Sequence, residues 1–268
     1  MQSYLIALDM DGTLLNSEGK ISDCLAQYLH HLEEEGHLVV ISSGRPIRAI
    51  QKYYDQLGLH SPVICYNGAF VTNPSDPSFK EQSFAFPRNV ICKIYLELKD
   101  LLENLMCETN KEIWLLKEDQ TLKDFFWHDD MEVHYGEVDK TLNQDPMTMI
   151  LESRNREDDQ RIIDAVKKHA GLNIRFWNGN YAHFSEVYFE HVSKAASLHY
   201  IAEMYQIPAS RMIAIGDATN DIEMLSLAEH SVAMINGDEA VKKYAKHISR
   251  YDNDHDGVKY AIQDILEK

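Results

Sequence analysis

The stretch YLIALDMDGTLL, residues 4–15, limits what this chain can fold into more than any other. Its apolar run from Tyr4 to Leu8 has no polar alternation, the pattern of a strand buried on both faces of a parallel sheet, and it stops at two acids, Asp9 and Asp11. Gly12 then supplies a turn, because a residue without Cβ reaches backbone conformations that others resist. In open α/β sheets ligands bind beyond the carboxyl ends of the strands, so an acid pair placed there suits catalysis as well as it suits a solvated turn. The rest of the chain weighs between the two.

A chain of 268 residues can bury a sizeable core, as one large domain or two smaller ones. With 26 basic against 43 acidic side chains, a formal net charge of −17, it is a poor candidate for sequence-independent binding to nucleic acid or to an anionic membrane. An anionic substrate would need local help from a metal ion, a few cationic side chains or backbone amides. Cys24, Cys65, Cys92 and Cys107 are widely spaced with no CxxC pair, and read as buried reduced thiols. No segment approaches the roughly 18 apolar residues of a membrane helix, and no targeting pattern opens the chain. A cytoplasmic protein, monomer or homodimer, with no nucleic-acid or membrane partner is expected.

The opening strand is followed by a helix that Ser22 can cap, running to about Glu35 and stopped by Gly36, with Leu25, Leu29 and Leu32 at helical spacing. Leu38–Ile41 repeats the buried-strand pattern and ends at Ser42, Ser43, Gly44 and Arg45; Pro46 then suits the start of a helix to about Leu57. Val63–Tyr66 and Ala69–Thr72 form a hairpin about Asn67-Gly68. Strands alternating with helices imply right-handed crossovers and a parallel sheet. From about residue 84 the order is mixed: a helix over 87–104, strands near 112–116, 133–138 and 147–151, a charged helix over 156–169, and paired strands at 174–177 and 183–188. This reads as an inserted α+β module with an antiparallel sheet. The parallel pattern returns with a helix capped by Ser193, a buried strand over 212–215 ending at Gly216-Asp217, a helix over 222–228, a strand over 231–234, a helix from about 238, a short strand at 247–248 and a last helix over 257–266.

Four features thus fall at the ends of core elements: Asp9 to Thr13, Ser42 to Arg45, Lys194, and Gly216 to Asp221. If the strands are parallel, all of these converge on one sheet edge. Asp217 and Asp221, four apart, share a face if a helix begins early enough, and with Asp9 and Asp11 they make four acids that repel one another unless a cation sits among them or some protonate. Oxygen ligands without His or Cys favour a hard ion, with magnesium the natural choice beside a phosphate.

With these residues in place the chain resembles the haloacid dehalogenase-like hydrolases, and within them the Cof-type phosphatases with an α/β cap inserted between core halves. DMDGTLL is similar to the first motif, hhDxDGT; Ser43 to the second; Lys194 to the third; and Gly216-Asp217 with Asn220-Asp221 to the fourth, GDxxND. The resemblance implies an α/β fold: a three-layer, Rossmann-like parallel-sheet core over 1–82 and 190–268, with an α+β cap over 83–189 that selects the substrate. It implies Asp9 as nucleophile and Asp11 as proton donor and acceptor, forming an aspartyl-phosphate. It implies Mg2+ held by Asp9, the Asp11 carbonyl and Asp217, with Asp221 assisting. Phosphate oxygens would meet Ser43, Lys194 and backbone amides near Met10, Asp11 and Gly44, with Arg45 and Asn220 close by.

The third motif departs from the Cof pattern EIxPxGVxKG, since Phe189, His191 and Ala195 replace small or rigid residues. His191 is either a substrate contact or a surface residue. A second apparent motif, Asp252, Asp254, Asp256 and Gly257, matches the start of a calcium loop, but its twelfth position is Gln263 where a bidentate glutamate is required, so it is read as an acidic turn. Arg175, Trp177, Asn180, Tyr181 and His183 either line the cap's substrate face or are ordinary sheet residues. The expected activity is hydrolysis of a small phosphorylated metabolite, a sugar phosphate or cofactor phosphate. A phosphotransferase or mutase, or a silent metabolite-binding regulator, would use the same residues.

Overall fold

A computed structural model describes residues 3–126, 131–177 and 179–267. The chain begins with β1 (Leu5–Leu8), α1 (Asp23–Glu34), β2 (Leu38–Ile41), α2 (Ile47–Leu57), β3 (Val63–Cys65), β4 (Phe70–Thr72) and β5 (Gln82–Ser83). It continues with α3 (Arg88–Leu98), β6 (Leu102–Glu108), β7 (Glu112–Leu115), α4 (Gln120–Phe126), β8 (Glu132–Tyr135), α5 (Val138–Thr141), β9 (Thr148–Ser153), α6 (Asp159–Lys167), β10 (Leu172–Phe176) and β11 (Phe184–Phe189). The last elements are α7 (Lys194–Met204), β12 (Met212–Gly216), α8 (Ile222–Leu227), β13 (His230–Ala233), α9 (Glu239–Lys242), β14 (His247–Ile248) and α10 (Gly257–Leu266). Two compact units result: Met1–Gln82 with Ser193–Lys268, and Ser83–Val192.

In the first unit five strands lie in the order β14-β13-β12-β1-β2, every pair parallel. β1 is central and wholly buried, which is why its residues are apolar without alternation. β3 extends the array through a parallel bridge between Ser42 and Ile64. Ser22 Oγ accepts from the Leu25 amide at 3.0 Å to start α1, and Ser193 Oγ accepts from the Ala196 amide at 3.2 Å to start α7, so both caps read in the sequence are made.

The second unit carries a six-stranded sheet, β10-β11-β9-β6-β7-β8. It is antiparallel except between β7 and β8, which run parallel with α4 between them in the chain. The helix expected over 87–104 stops at Leu98, and Leu102–Glu108 is instead the strand β6. Pairing with β9 on one side and β7 on the other buries Leu102, Leu105, Met106 and Cys107, and that tertiary gain overrides a helical pattern that ran on without a strong stop. The strand expected over 133–138 ends at Tyr135, Gly136 turns with φ +128°, and Val138 opens α5. α4, unforeseen, is begun by Asp119, whose Oδ1 accepts from the Leu122 amide at 2.8 Å. The return to the first unit falls at 192/193, later than the expected 189/190. β11 stays paired with β10 through Phe189, and the Glu190 amide still donates to the Gly171 carbonyl at 2.8 Å.

Candidate active site

The ladder of β1 runs one residue past the strand, as the Asp9 amide donates to the Ile215 carbonyl at 3.0 Å, and this fixes Asp9 at the carboxyl edge beside β12. The chain then doubles back: Thr13 and Leu15 donate to the Met10 carbonyl at 3.3 and 2.8 Å, and Leu14 donates to the Asp9 carbonyl. Gly12 turns with φ +80°, and a Cβ there would stand 2.5 Å from Asp217 Oδ2, so only glycine lets this loop approach Asp217. Thr13 Oγ1 donates to Asp217 Oδ1 at 2.7 Å. Thus the first and fourth motifs are bonded to each other directly.

Lys194, the first residue of α7, is fully buried, and its ammonium donates to Asp9 Oδ1 and, at 2.6 Å, to Asp221 Oδ1. The other Asp221 oxygen accepts from the amides of Asp217 and Ala218, each at 3.0 Å. Asp221 therefore clamps the 217–218 turn with one oxygen and Lys194 with the other. A carboxylate oxygen from each of Asp9, Asp217 and Asp221 lies within 4.8 Å of the others. Burial raises the Asp9 pKa well above the ordinary carboxylate range, with Asp221 and Asp217 adding to the rise and Lys194 opposing it. Burial likewise pushes Asp217 up to about 6 despite the Thr13 hydrogen bond. Burial disfavours the Lys194 charge, but Asp221 and Asp9 outweigh it and hold the ammonium.

Three carboxylates facing one ammonium leave an excess of negative charge in a dry place. The donors are all oxygen, the set a hard divalent ion such as Mg2+ takes, and a cation here would offset the burial and, secondarily, the mutual repulsion that lift Asp9 and Asp217. The residues present fit the ion.

Asp11, with its side chain 61% exposed, sits apart from this cluster. Arg45 grips it with both ends of the guanidinium, Nε to Oδ2 at 2.8 Å and Nη2 to Oδ1 at 2.5 Å. Ser43 is buried, its Oγ accepting from the Arg45 amide at 3.1 Å, which leaves its O–H to donate. The carbonyls of Ser43 and Arg45 accept from Asn67 and Tyr66 at 3.0 and 3.2 Å. Tyr66 and Asn67 hold φ of +49° and +54°, a conformation that side chains with a Cβ resist and that clusters at functional sites. Asn67 Oδ1 accepts from Asn220 Nδ2 at 2.9 Å, and a Cβ on Gly44 would lie 3.1 Å from Asn67 Nδ2. Asn220 is thus turned toward Asn67, and Asn67 joins the second motif to the fourth.

Thr13 and Asn67 were not singled out in the sequence. Thr13 stood inside the first motif with no task for its hydroxyl, and Asn67 was taken for a turn residue; the trace was Asn-Gly itself, a pair that accepts φ > 0. Two of the three departures in the third motif, Phe189 and His191, pack within the second unit. Phe189 stacks on Phe86 with centroids 4.6 Å apart, and His191 sits edge-on to Phe84 at 5.4 Å. Arg175 bonds Glu186 at 2.8 Å across the sheet, Trp177 packs with Phe126 and Phe184, Tyr181 with Phe125 and His183 with Phe184. The Asn180 side chain lies outside the described residues. The acidic turn is not a calcium cage: Asp254 accepts from Ser17, Asp256 from Ser22, and Asp252 caps its own turn at the Asp254 amide. Of the cysteines, Cys65 and Cys107 are buried as expected, but Cys24 is exposed and Cys92 intermediate.

An acid closing the first strand of a parallel sheet is thus bonded to a lysine from a distant helix and faced by two further acids. The profile of the haloacid dehalogenase-like hydrolases matches residues 6–262, and the chain belongs to that family and, within it, to the Cof-type phosphatases. It is 33% identical over 266 residues to the 5-amino-6-(5-phospho-D-ribitylamino)uracil phosphatase YitU of Bacillus subtilis, covering 95% of this chain and 94% of the relative. A second B. subtilis protein named for the same activity, YcsE, is 28% identical, covering 97% and 94%. Among solved structures, a haloacid dehalogenase-like hydrolase from Bacteroides thetaiotaomicron superposes with a TM-score of 0.82 at 25% identity, over 99% of this chain and 100% of that one. No described helix is long and apolar enough to cross a membrane.

Proposed function

We propose that this protein is a magnesium-dependent phosphatase that hydrolyses small phosphorylated metabolites through an aspartyl-phosphate on Asp9. The observation that carries the reading is the buried Asp9 carboxylate at the end of β1, bonded by Lys194 and faced by Asp217 and Asp221. Asp9 attacks phosphorus while the bond to the leaving alcohol breaks, and Asp11 gives that alcohol its proton. Water then attacks the aspartyl-phosphate, Asp11 takes its proton, the bond from phosphorus to Asp9 breaks, and inorganic phosphate leaves. Arg45 occupies both carboxylate oxygens of Asp11. A dianionic phosphate offers the guanidinium a competing partner, and its arrival would free the Asp11 oxygens for proton transfer.

The Ser43 hydroxyl, the Lys194 ammonium and the amides of Met10, Asp11 and Gly44 take the non-bridging oxygens. Asn220 acts through Asn67, holding the second-motif loop in place. A Mg2+ ion would be held by Asp9, Asp217 and the Asp11 carbonyl, and Asp221 would serve it by fixing Lys194 and the 217–218 turn. When bound, the ion offsets the repulsion between carboxylate and phosphate and the charge that develops on the transferring oxygens. Choice of substrate is ascribed to the second unit, acting as the cap.

The names of the two B. subtilis relatives make 5-amino-6-(5-phospho-D-ribitylamino)uracil the first compound to try. Purified protein with Mg2+ should release phosphate from it or from another member of a panel of sugar and cofactor phosphates. Asp9→Asn should lower that release by about 10³-fold or more. Folded protein that frees phosphate from none of them, or an Asp9→Asn variant as active as the parent, would overturn the reading.

A further inference from the structure

The second unit holds a group of side chains that the phosphatase chemistry does not use. β7 and β8 run parallel with Glu112 opposite Glu132 and Trp114 opposite His134. Residues two apart on a strand share a face, so Glu112, Glu132 and His134 project to the same side. His134 Nε2 lies 2.8 Å from Glu112 Oε2 and 3.7 Å from Glu132 Oε1, and the three ligand atoms are all within 4.8 Å of one another. Two neighbours fix this arrangement. The imidazole stacks on the buried Trp114 ring, centroids 5.3 Å apart and planes 21° apart, and Gln144 Nε2 donates to Glu112 Oε1, which leaves Oε2 turned to the histidine.

We propose that Glu112, Glu132 and His134 form a divalent transition-metal site of the zinc class. One imidazole and two carboxylates make a donor set that Zn2+ takes at about 2.0–2.2 Å per bond, and tetrahedral ligands at that length stand roughly 3.3–3.6 Å apart. The separations of 2.8 and 3.7 Å straddle that range, so small side-chain rotations seat the ion. On binding, Nε2 gives up its hydrogen bond to Glu112, the hydrogen of the neutral ring resides on Nδ1, reached by exchange through solvent, and the Nε2 lone pair goes to the metal. The Glu132 side chain is 71% exposed, so water can complete the coordination. The nitrogen ligand separates this site from the all-oxygen Asp9, Asp217 and Asp221 cluster, which suits a harder ion. The inference stands independently of the phosphatase reading.

Calorimetric titration of the full chain with Zn2+ in excess Mg2+ tests it. The wild type should bind one Zn2+ that is retained in Asp217→Asn and is weakened about tenfold or more in both His134→Gln and Glu132→Gln. Glu132 is exposed enough for its replacement to leave the fold intact, which circular dichroism would verify. The proposal is overturned if the wild type binds no zinc, if His134→Gln and Glu132→Gln bind it as tightly as the parent, or if Asp217→Asn alone abolishes binding.

Discussion

In the first unit Lys194 is buried between Asp9 and Asp221, whereas in the second Lys168 meets Glu97 with side chains 61% and 43% exposed. Both contacts join an ammonium to carboxylate, but water surrounds one and is excluded from the other. In the exposed pair solvent screens the attraction and would hydrate either partner if the other were lost. In the buried group every charge depends on its neighbours, because desolvation penalises any ion left alone. The site is therefore both the reactive part of the molecule and a place where one deletion propagates into stability.

The comparison can be broken at its strongest point first. Lys194→Ala leaves Asp9 and Asp221 facing each other without their cation, and unfolding by urea should show a loss of about 3–5 kcal/mol. A loss no larger than that of a surface pair would mean that the buried group is not held together by charge.

Glu152 sharpens the contrast from within the second unit. Burial, with Asp119 and Glu103 nearby, lifts it from its ordinary 4.5 to about 7 against the pull of Lys117. The folded pKa exceeds the unfolded one, so the native state holds the extra proton. Its contribution is fully present below about pH 4.5 and lost as pH rises through about 7. Glu152→Gln should therefore stabilise the protein at pH 8 by about 1 kcal/mol, after allowance for solvent screening, and by less at pH 5. Denaturant midpoints at the two pH values check this, and an equal effect at both would refute it. The smallest effect belongs to Lys168→Ala, which should leave the thermal midpoint where it was, as scanning calorimetry would show.

Much of the first unit could be read from the chain. Tyr4 to Leu8 announced a buried strand of a parallel sheet, Ser22 and Ser193 announced helix starts, and the four motifs fell in order, because each is a local pattern tied to a local backbone need. The second unit was harder. Leu102 to Asn104 read as the end of a helix because no effective stop precedes them, and the strand identity of Leu102–Glu108 comes from β9 and β7, which lie elsewhere in sequence. Asn67 was likewise hidden, since its tie to Asn220 spans a long stretch of chain.

For DMDGTLL the sequence by itself determined the residues: an acid at the end of a buried strand, a second acid two residues on, and a glycine directly after it to turn the chain. Which neighbours those acids meet was decided only in three dimensions. Thr13 bonds Asp217, Lys194 bridges Asp9 and Asp221, and Arg45 grips Asp11. The reason is physical: hydrophobic pattern and turn chemistry act along the chain, whereas electrostatic coupling depends on distance and on the exclusion of water, and both are set by packing.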